Sequence, residues 1–583
     1  MPARRQLEGL KVASALRESC LEEGYSFHKL RGDLLAGLTV GISAIPLSMA
    51  LAIAIGVPPE HGLYTSLVAG VIMALLGGSR YSVAGPTAAF VVILQPVVQE
   101  YGLSGLMLTT LMSAVVLVLM AIARFGRVVT YIPNTVTFGF TLGIAVIIAT
   151  LQLPDLLGLV ITEPMPDFYF AKLWMIARHL ATLHWPTLLV SLVCVVTMYG
   201  WPRLNWLPIP AHLITIVTGT AVALLLAYFH YPVATIASSF EYQAPAGHTV
   251  HGIPTFLPEF TLPWKQPDGL PWSLEMVSAL LPQALTIALL GAIEALLCAV
   301  MLERLTGKRY HANAELFGQG VGNLLVPFFG GFSAAPELAR STTNFRAGAA
   351  TPLAALIHTA VIAGCLIWAA PYLKHLPMAC MGTLVVIVAW RMCHGRQIVS
   401  TVRTAPLADV LVFAVCFALT LMVDMVVAIG SAVVIAAILF MRDIAAMTKV
   451  RDITKQLKHV PRPLPEHWRV VKISGPMFFA AADNIFAELD AFAKDQRGLV
   501  MHMDGVPLLD AGGLDGLTGF IKRCKKRKVE LILSDVQFQP LKAMVKAGIK
   551  PENGNFVVYP TLAEALEAVL DKSPEVAPVA DQD

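Results

Sequence analysis

Charged residues are scarce in this chain. They make up 14% of its 583 residues, whereas 56% are hydrophobic, and an average soluble domain has about 25% charged residues. The shortage is confined to residues 34–441, which form long apolar blocks separated by short polar turns. This pattern excludes an ordinary soluble domain over that range and predicts a polytopic α-helical membrane protein.

Several chemical signatures are also missing. The eight cysteines show no CxxC or ligand-like spacing, which argues against a metal centre or a disulfide framework. The chain has no Walker A motif, which disfavours ATP-driven transport by this chain alone. The polar C-terminal part shows no nucleophile–base pair. We therefore expect no cofactor, no metal, no nucleic-acid partner and no enzymatic activity.

The apolar blocks predict the topology. Blocks of about 17–25 apolar residues, the length that spans a bilayer, occur about fourteen times, and the two near residues 92 and 340 are the shortest. Lysine and arginine are concentrated in the N-terminal segment and in loops that follow even-numbered spans, such as those with Arg80, Arg203 and Lys308. Because cytoplasmic loops carry an excess of these residues, both termini are predicted to be cytoplasmic.

The chain divides into five predicted parts. After Met441 the apolar blocks stop, and from about Trp468 strand-like and helix-like segments alternate, as in a compact α/β domain. The parts are a cytoplasmic N-terminal segment (1–33), a transmembrane transport domain (34–441), a linker (442–465), a cytoplasmic α/β domain (466–572) and a flexible tail (573–583).

Similar interruptions recur in two halves of the membrane part, residues 34–231 and 272–441. They pair at a separation of about 250 residues: Pro46 with Glu294, Gly85-Pro86-Thr87 with Pro336-Glu337, and Tyr131-Ile132-Pro133 with His375-Leu376-Pro377. Halves with an odd number of spans must have opposite topology, and inverted repeats with interrupted spans are typical of secondary transporters. The alternative is that proline is simply common in membrane helices.

Two of these interruptions predict helices that begin inside the membrane. Proline has no N–H group and fits the first turn of a helix, so Gly85-Pro86-Thr87-Ala88 and Ala335-Pro336-Glu337-Leu338 are expected to open half-helices. The N-terminus of a helix offers unpaired N–H groups and a partial positive charge, which favour an anion. If the repeat brings both starts together, they form an anion site to which Thr87 and Ser333 can add hydroxyl donors.

Three charged residues lie in or near this predicted site. A carboxylate in the middle of a span is costly and is functional by default, so Glu294 is predicted to carry the coupling proton. The alternative is a structural ion pair with a basic neighbour. Arg340 can complement the anion or neutralise either Glu294 or Glu337. Glu337 is either a second titrating group or only a helix cap.

Five motifs of the membrane part are distinctive in combination. They are Gly41-Ile-Ser-Ala-Ile-Pro46-Leu-Ser-Met-Ala50, Gly56-Val-Pro-Pro-Glu-His-Gly-Leu-Tyr64, Val83-Ala-Gly-Pro-Thr87, Tyr131-Ile-Pro133 and Ala339-Arg-Ser-Thr-Thr-Asn344. Together they resemble the sulfate permease (SulP) family of anion transporters, and residues 466–572 resemble the STAS domain at the C-terminus of that family.

The resemblance implies a seven-plus-seven inverted repeat of UraA-like architecture, with core and gate subdomains that shift in an elevator-like motion. Glu294 occupies the position where proton-coupled members carry an acid. The resemblance further implies a homodimer in a bacterial inner membrane, in contact with lipid, with a cytosolic protein docking on the STAS domain. The implied substrate site comprises Pro46, Ser48, Gly85, Pro86, Thr87, Ala88, Ser333, Ala335, Pro336 and Arg340.

The bacterial branch that the chain resembles most carries C4-dicarboxylates, so proton-coupled uptake of succinate, fumarate or aspartate is the leading hypothesis. The alternatives are a sulfate or bicarbonate carrier, coupled to protons or sodium, a passive anion channel, and a signalling scaffold that works through the STAS domain.

Two departures from the family pattern stand out. The tenth span usually begins with small residues, where this chain has Pro336-Glu337. Regulatory STAS domains carry an Asp-Ser-Ser-Gly loop, whereas this chain reads Asp510-Ala511-Gly512-Gly513. With no hydroxyl in that loop, we predict no phosphorylation switch there.

Overall fold

The computed structural model describes residues 11–571 except 127–132, 162, 164, 167, 205–209, 244–248, 266–271, 394, 424 and 553. The chain divides into two compact units, Met1–Val433 and Val434–Asp583. The predicted flexible tail and the first two residues of Tyr131-Ile132-Pro133 lie outside the described residues.

The membrane part is helical. Its principal helices are α1 (Phe27–Ile55), α2 (Pro59–Leu76), α3 (Ala88–Ile122), α4 (Asn134–Leu151), α5 (Trp185–Leu204), α6 (Ala211–Tyr228), α7 (Leu274–Thr306), α8 (Ala312–Leu325), α9 (Leu338–Arg346), α10 (Leu353–Gly364), α11 (Met378–Met392), α12 (Leu407–Met422) and α13 (Met425–Met447). Short strands lie between them: β1 (Ala84–Gly85), β2 (Glu241–Gln243), β3 (Thr249–His251) and β4 (Ala335–Pro336).

A helix lies at every predicted span. Helix α3 covers two predicted spans. It is interrupted between them at Gly102, whose φ of 62° is not helical. By length and composition, nine helices within the described residues can cross a membrane. The nine-residue α9 is far short of the ~20 residues that a full crossing needs. The predicted fold class is confirmed, and the number of fourteen spans stays a prediction.

Small residues allow α1, α2 and α10 to pack closely. A Cβ atom at Gly62 would lie 2.0 Å from the Ser48 carbonyl oxygen, and one at Gly37 would lie 2.6 Å from the Ala354 carbonyl oxygen. In a membrane, where helix association depends on close packing, such contacts hold helices together. The helices around the candidate site are therefore packed backbone against backbone.

The second unit contains a five-stranded sheet in the order β5-β6-β7-β8-β9, parallel except for β5. Its elements are β5 (Lys449–Asp452), β6 (Trp468–Ser474), α14 (Phe479–Ala493), β7 (Gly498–Gly505), α15 (Ala511–Arg527), β8 (Glu530–Ser534), α16 (Phe538–Lys546), β9 (Phe556–Tyr559) and α17 (Leu562–Leu570).

This unit is an α/β domain, as predicted, with one difference. Strand β5 lies inside the segment predicted to be a linker. Three of its four residues are exposed, one is half-buried, and two carry basic side chains, so no apolar run marks it. As an edge strand it is antiparallel to β6 and pairs Lys449 with Ser474. The sheet therefore begins well before residue 466.

The sheet is buried on both faces. Val471 and Leu499 pack with residues of α14 and α15, while Val470 and Val500 pack with residues of α17. Parallel strands covered by helices on both sides are expected to read as continuous apolar runs. This explains why β6, β7 and β8 were recognisable in the sequence.

Candidate functional site

The two predicted half-helix starts meet inside the membrane part. Strands β1 and β4 form an antiparallel pair that places Ala84 opposite Pro336 and Gly85 opposite Ala335, and all of these residues are buried. Extended backbone is tolerated within a membrane only where its polar groups are satisfied inside the protein. The pairing provides part of that satisfaction and brings the starts of α3 and α9 together.

The helices begin two residues later than the prolines predict. Pro336 lies in β4 and Pro86 directly follows β1, so neither occupies a first helical turn. Helix α3 begins at Ala88, and its N-cap is Thr87, whose hydroxyl accepts a hydrogen bond from the Ala89 N–H at 3.4 Å. Both proline segments are extended because they cross each other at the paired strands.

Arg340 connects the two half-helices. Its side chain is buried, Nη2 donates to the Pro86 carbonyl oxygen at 2.8 Å, and Nε lies 2.9 Å from Glu337 Oε2. Of the alternatives for Arg340, the structure shows neutralisation of Glu337. A Cβ atom at Gly85 would lie 2.0 Å from Arg340 Nη1, so the guanidinium requires glycine at this position.

Glu337 is the N-cap residue of α9, but its side chain makes no capping hydrogen bond. Its carboxylate is directed to Arg340 instead. The N-terminus of α9 therefore carries a neutralised ion pair, whereas the N-terminus of α3 carries an uncharged threonine.

Glu294, on α7, faces the start of α3. The Thr87 hydroxyl donates to Glu294 Oε1 at 3.4 Å, the long end of hydrogen-bond distances. Glu294 Oε2 is buried and has no hydrogen-bond partner within the described residues. No described basic side chain forms an ion pair with Glu294, so the geometry does not support the structural ion-pair alternative. A buried carboxylate oxygen without a partner is available for a proton.

The predicted serines differ in their surroundings. Ser48, on α1, shares a hydrogen bond of 2.8 Å with Ser66 on α2, and Ser66 Oγ would lie 3.0 Å from a Cβ atom at Gly85. Ser48 is therefore linked to the site through Ser66. The Ser333 hydroxyl donates to Thr110 Oγ1 at 3.0 Å, so its proton is already used. Pro46 and Ala88 are buried in α1 and α3.

Sequence reasoning missed the side chains that hold the paired strands in place. The Asn323 amide donates to the Ala334 carbonyl oxygen at 2.9 Å and accepts from the Ala334 N–H at 2.8 Å. Ser341 Oγ accepts from the Val83 N–H at 3.0 Å. A signal was present, because an amide in an apolar helix must find a partner.

The STAS loop, Asp510–Gly513, is held by hydrogen bonds and close packing. Asp510 is the N-cap residue of α15 and accepts hydrogen bonds from the N–H groups of Gly513, at 2.8 Å, and Phe479, at 3.2 Å. Ala511 is the first residue of that helix. A Cβ atom at Gly512 would lie 2.6 Å from Phe479 Cα, and one at Gly513 would lie 2.3 Å from the Met477 carbonyl oxygen. The two glycines are thus explained by close packing.

Comparison with known proteins identifies both parts of the chain. Residues 30–416 match the sulfate permease family, and residues 456–565 match the STAS domain. The putative sulfate transporter YvdB of Bacillus subtilis is 33% identical over 529 residues, which cover 90% of this chain and 95% of YvdB. The bicarbonate transporter BicA of a Picosynechococcus species is 26% identical over 581 residues, covering 93% and 98% of the two chains.

A solved structure shows the same fold. The murine anion transporter Slc26a9, in an inward-facing state, superposes with a TM-score of 0.81 at 18% identity, covering 96% of this chain and 94% of that one. At this identity the similarity supports the fold alone.

Proposed function

The chain belongs to the sulfate permease family of membrane anion transporters, and from that membership we propose that it takes up C4-dicarboxylates together with protons. Succinate, fumarate and aspartate are the proposed substrates. As a member of this family the chain is a multi-pass transporter and not an enzyme. The observation that carries the proposal is the contact of Glu294 with Thr87, the N-cap residue of α3.

The charges of the site support the proposed coupling. Arg340 is already paired with Glu337, so the positive potential available to an anion comes mainly from the start of α3. Ionised Glu294 lies beside that start and would repel the anion. A proton on Glu294 removes the repulsion, so binding of the anion and binding of the proton favour each other.

The paired helix starts support a substrate with two carboxylates. One carboxylate can bind at the N-terminus of α3, and the second can lie towards α9, where Arg340 is within reach of both starts. The residues proposed to bind the anion remain those predicted from the sequence. Among them, the Ser333 hydroxyl has less to offer because it already donates to Thr110.

An inorganic anion is the second candidate. The named functions of YvdB and BicA concern sulfate and bicarbonate, and a site made of two helix N-termini can also bind a compact oxyanion. The same glutamate would then couple the anion to a proton or to sodium.

Uptake into proteoliposomes tests the proposal. Labelled succinate is supplied with and without an inward proton gradient and is competed with fumarate, aspartate, sulfate and bicarbonate. We expect uptake that rises with the gradient and is blocked by fumarate. Sulfate or bicarbonate flux without succinate uptake would establish the second candidate, and flux that ignores the gradient and shows no counterflow would establish a channel.

The elevator-like shift, the homodimer and the docking of a cytosolic protein on the STAS domain stay predictions. The packed Asp510 loop supports the expectation that no phosphorylation switch operates there.

A further inference from the structure

The N-terminal segment packs on the cytoplasmic end of the helices that hold the site. We call residues 11–26 the N-terminal clamp. Its residues Ser14–Leu16 and Arg17–Glu22 form one short helical stretch. The Ala13 N–H donates to the Leu76 carbonyl oxygen at 3.1 Å, and Ser19 is fully buried. The clamp is therefore attached at the end of α2.

Two glutamates of the clamp neutralise a buried arginine. Arg80 lies in the loop 77–83, which joins α2 to β1, and its side chain is 8% exposed. Arg80 Nη1 lies 2.8 Å from Glu23 Oε2, and Nη2 lies 3.7 Å from Glu18 Oε2. These are the ion pairs of Arg80 within the described residues.

The same carboxylates bind the loop between α7 and α8. Glu23 Oε1 lies 3.2 Å from Lys308 Nζ, and Glu18 Oε1 lies 2.7 Å from His311 Nε2. The backbone N–H of His311 donates a hydrogen bond to the Gly78 carbonyl oxygen at 3.0 Å. The clamp thus joins the loop 77–83, in the first half of the repeat, to the loop between α7 and α8, in the second half.

The loop 77–83 leads directly into the anion site. Asn344 Nδ2 donates to the Tyr81 carbonyl oxygen at 3.1 Å. Val83 accepts a hydrogen bond from the Glu337 N–H at 3.2 Å and donates one to Ser341. Strand β1 begins at the next residue. A displacement of Arg80 would therefore be transmitted to β1 and to its contacts with α9.

We propose that the N-terminal clamp positions the anion site, because Glu23 and Glu18 fix buried Arg80 and, through it, the loop that orients β1. The inference rests on the proposed anion site at β1 and β4 and not on the identity of the anion. A buried cation that loses its partner is strongly unfavourable, so the loop is expected to move when the glutamates are neutralised. Glu23 and Glu18 are positioning residues that do not touch the substrate.

The ion pair between Glu23 and Arg80 persists at physiological pH. The hydrogen bond from Arg80 lowers the pKa of Glu23 from its ordinary value of 4.5 to about 2, with Lys308 contributing in the same direction and burial opposing. The stability from this carboxylate is present above its ordinary pKa and is lost as the pH falls through about 2. Neutralising Glu23 should thus leave the pH profile of uptake unchanged in shape.

The test compares Glu23→Gln with Glu22→Gln in the full-length protein. Glu22 is a matched control, because it pairs only with exposed Arg17, at 3.2 Å, among the ion pairs of the clamp. We expect Glu23→Gln to raise KM about tenfold at a similar kcat per folded transporter, and Glu22→Gln to match the wild type. Glu23→Asp, which keeps the charge, should recover most of the affinity.

The readouts separate positioning from folding. Thermal unfolding and monodispersity in detergent are measured for each variant, and a loss of folded protein alone would lower the amount of flux without changing KM. An unchanged KM in Glu23→Gln would overturn the proposal, as would an equal rise in Glu22→Gln. The anion used is whichever the wild type carries, so failure of the dicarboxylate proposal leaves this comparison intact.

Discussion

The two helix starts at the centre of the molecule have similar backbones and different charges. Each start consists of a short extended strand followed by an N-cap residue and a helix. At α3 the N-cap is Thr87, and the nearest acid, Glu294, comes from another helix. At α9 the N-cap is Glu337, and it is neutralised by Arg340 three residues later. The two helix starts therefore have equivalent backbones, but only the α9 start contains an ion pair of its own.

Under the proposed function, this difference favours the α3 start as the one open to a substrate. An acid at the N-terminus of a helix satisfies the partial positive charge there, so the α9 start has little attraction left for an anion. The α3 start has a hydroxyl cap, and the guanidinium that reaches it at Pro86 is already paired with Glu337. Under the proposed function, a proton on Glu294 removes the repulsion of an anion at that start. The asymmetry favours anion binding mainly at α3 and structural alignment mainly at α9.

The largest expected effect breaks the contact between the two starts. Gly85→Ala adds a Cβ atom that would lie only 2.0 Å from Arg340 Nη1. Because the guanidinium is buried and bonded to Pro86, it has little room to move, and we expect uptake to fall by about a hundredfold or more. Uptake is measured in proteoliposomes at equal amounts of folded protein.

Gly200→Ala is the control for this substitution, since a Cβ atom at Gly200 meets nothing within 4 Å. Uptake by Gly85→Ala at the wild-type rate would show that the guanidinium can leave the α3 start without consequence.

The next effect concerns the acid that faces the open start. Glu294→Gln keeps the size of the side chain and removes its ionisation. We expect pH-driven accumulation to be abolished, while exchange of internal for external anion persists because the amide is as neutral as the protonated acid. Accumulation and counterflow are measured on the same vesicles. An unchanged pH dependence would remove Glu294 from the coupling role.

Removing the ion pair at the α9 start tests whether that pair is what makes the two helix starts different. Glu337→Gln frees the charge of Arg340 at the second start, and we expect KM for the anion to fall by about threefold to tenfold, because a net positive charge is added near the site. The measurement is a concentration series at saturating proton gradient.

Glu337→Gln keeps the size of the side chain beside Arg340, which limits structural damage, and thermal unfolding checks this. A higher KM in Glu337→Gln would mean that Glu337 itself takes part in binding and that the two starts are more alike than their charges indicate.

Sequence reasoning located the paired helix starts and the glutamate beside them because their signals were local, and their role as an anion site stays a prediction. Prolines, glycines and a lone glutamate within apolar blocks are rare enough to mark Gly85, Pro336 and Glu294 without a structure. The convergence of the two starts followed from the repeat, and β1 paired with β4 confirms it. The position of the prolines before the helices did not follow, because it depends on strand pairing between segments that are distant in sequence.

The features that sequence reasoning missed depend on contacts rather than on patterns. Arg340 had three plausible partners, and only its position beside Glu337 selects one. The charge pattern predicts Arg80 to be an ordinary cytoplasmic charge, whereas the structure buries it against Glu23. Strand β5 has no apolar run, since an edge strand needs only a neighbour to pair with.

The smallest expected effect tests the link between the α3 cap and the acid. Thr87→Val removes a hydroxyl that accepts from the Ala89 N–H and donates to Glu294, both at 3.4 Å. Because these hydrogen bonds are long, together they contribute about 1 kcal/mol or less, and we expect KM to rise by no more than about fivefold. The hydroxyl is also the described hydrogen-bond partner of Glu294, so its loss should change the pH dependence of uptake. Thr87→Ser keeps the hydroxyl and should behave as the wild type. If valine and serine gave the same pH profile, the cap and the acid would act independently, and the open start would be defined by the helix end alone.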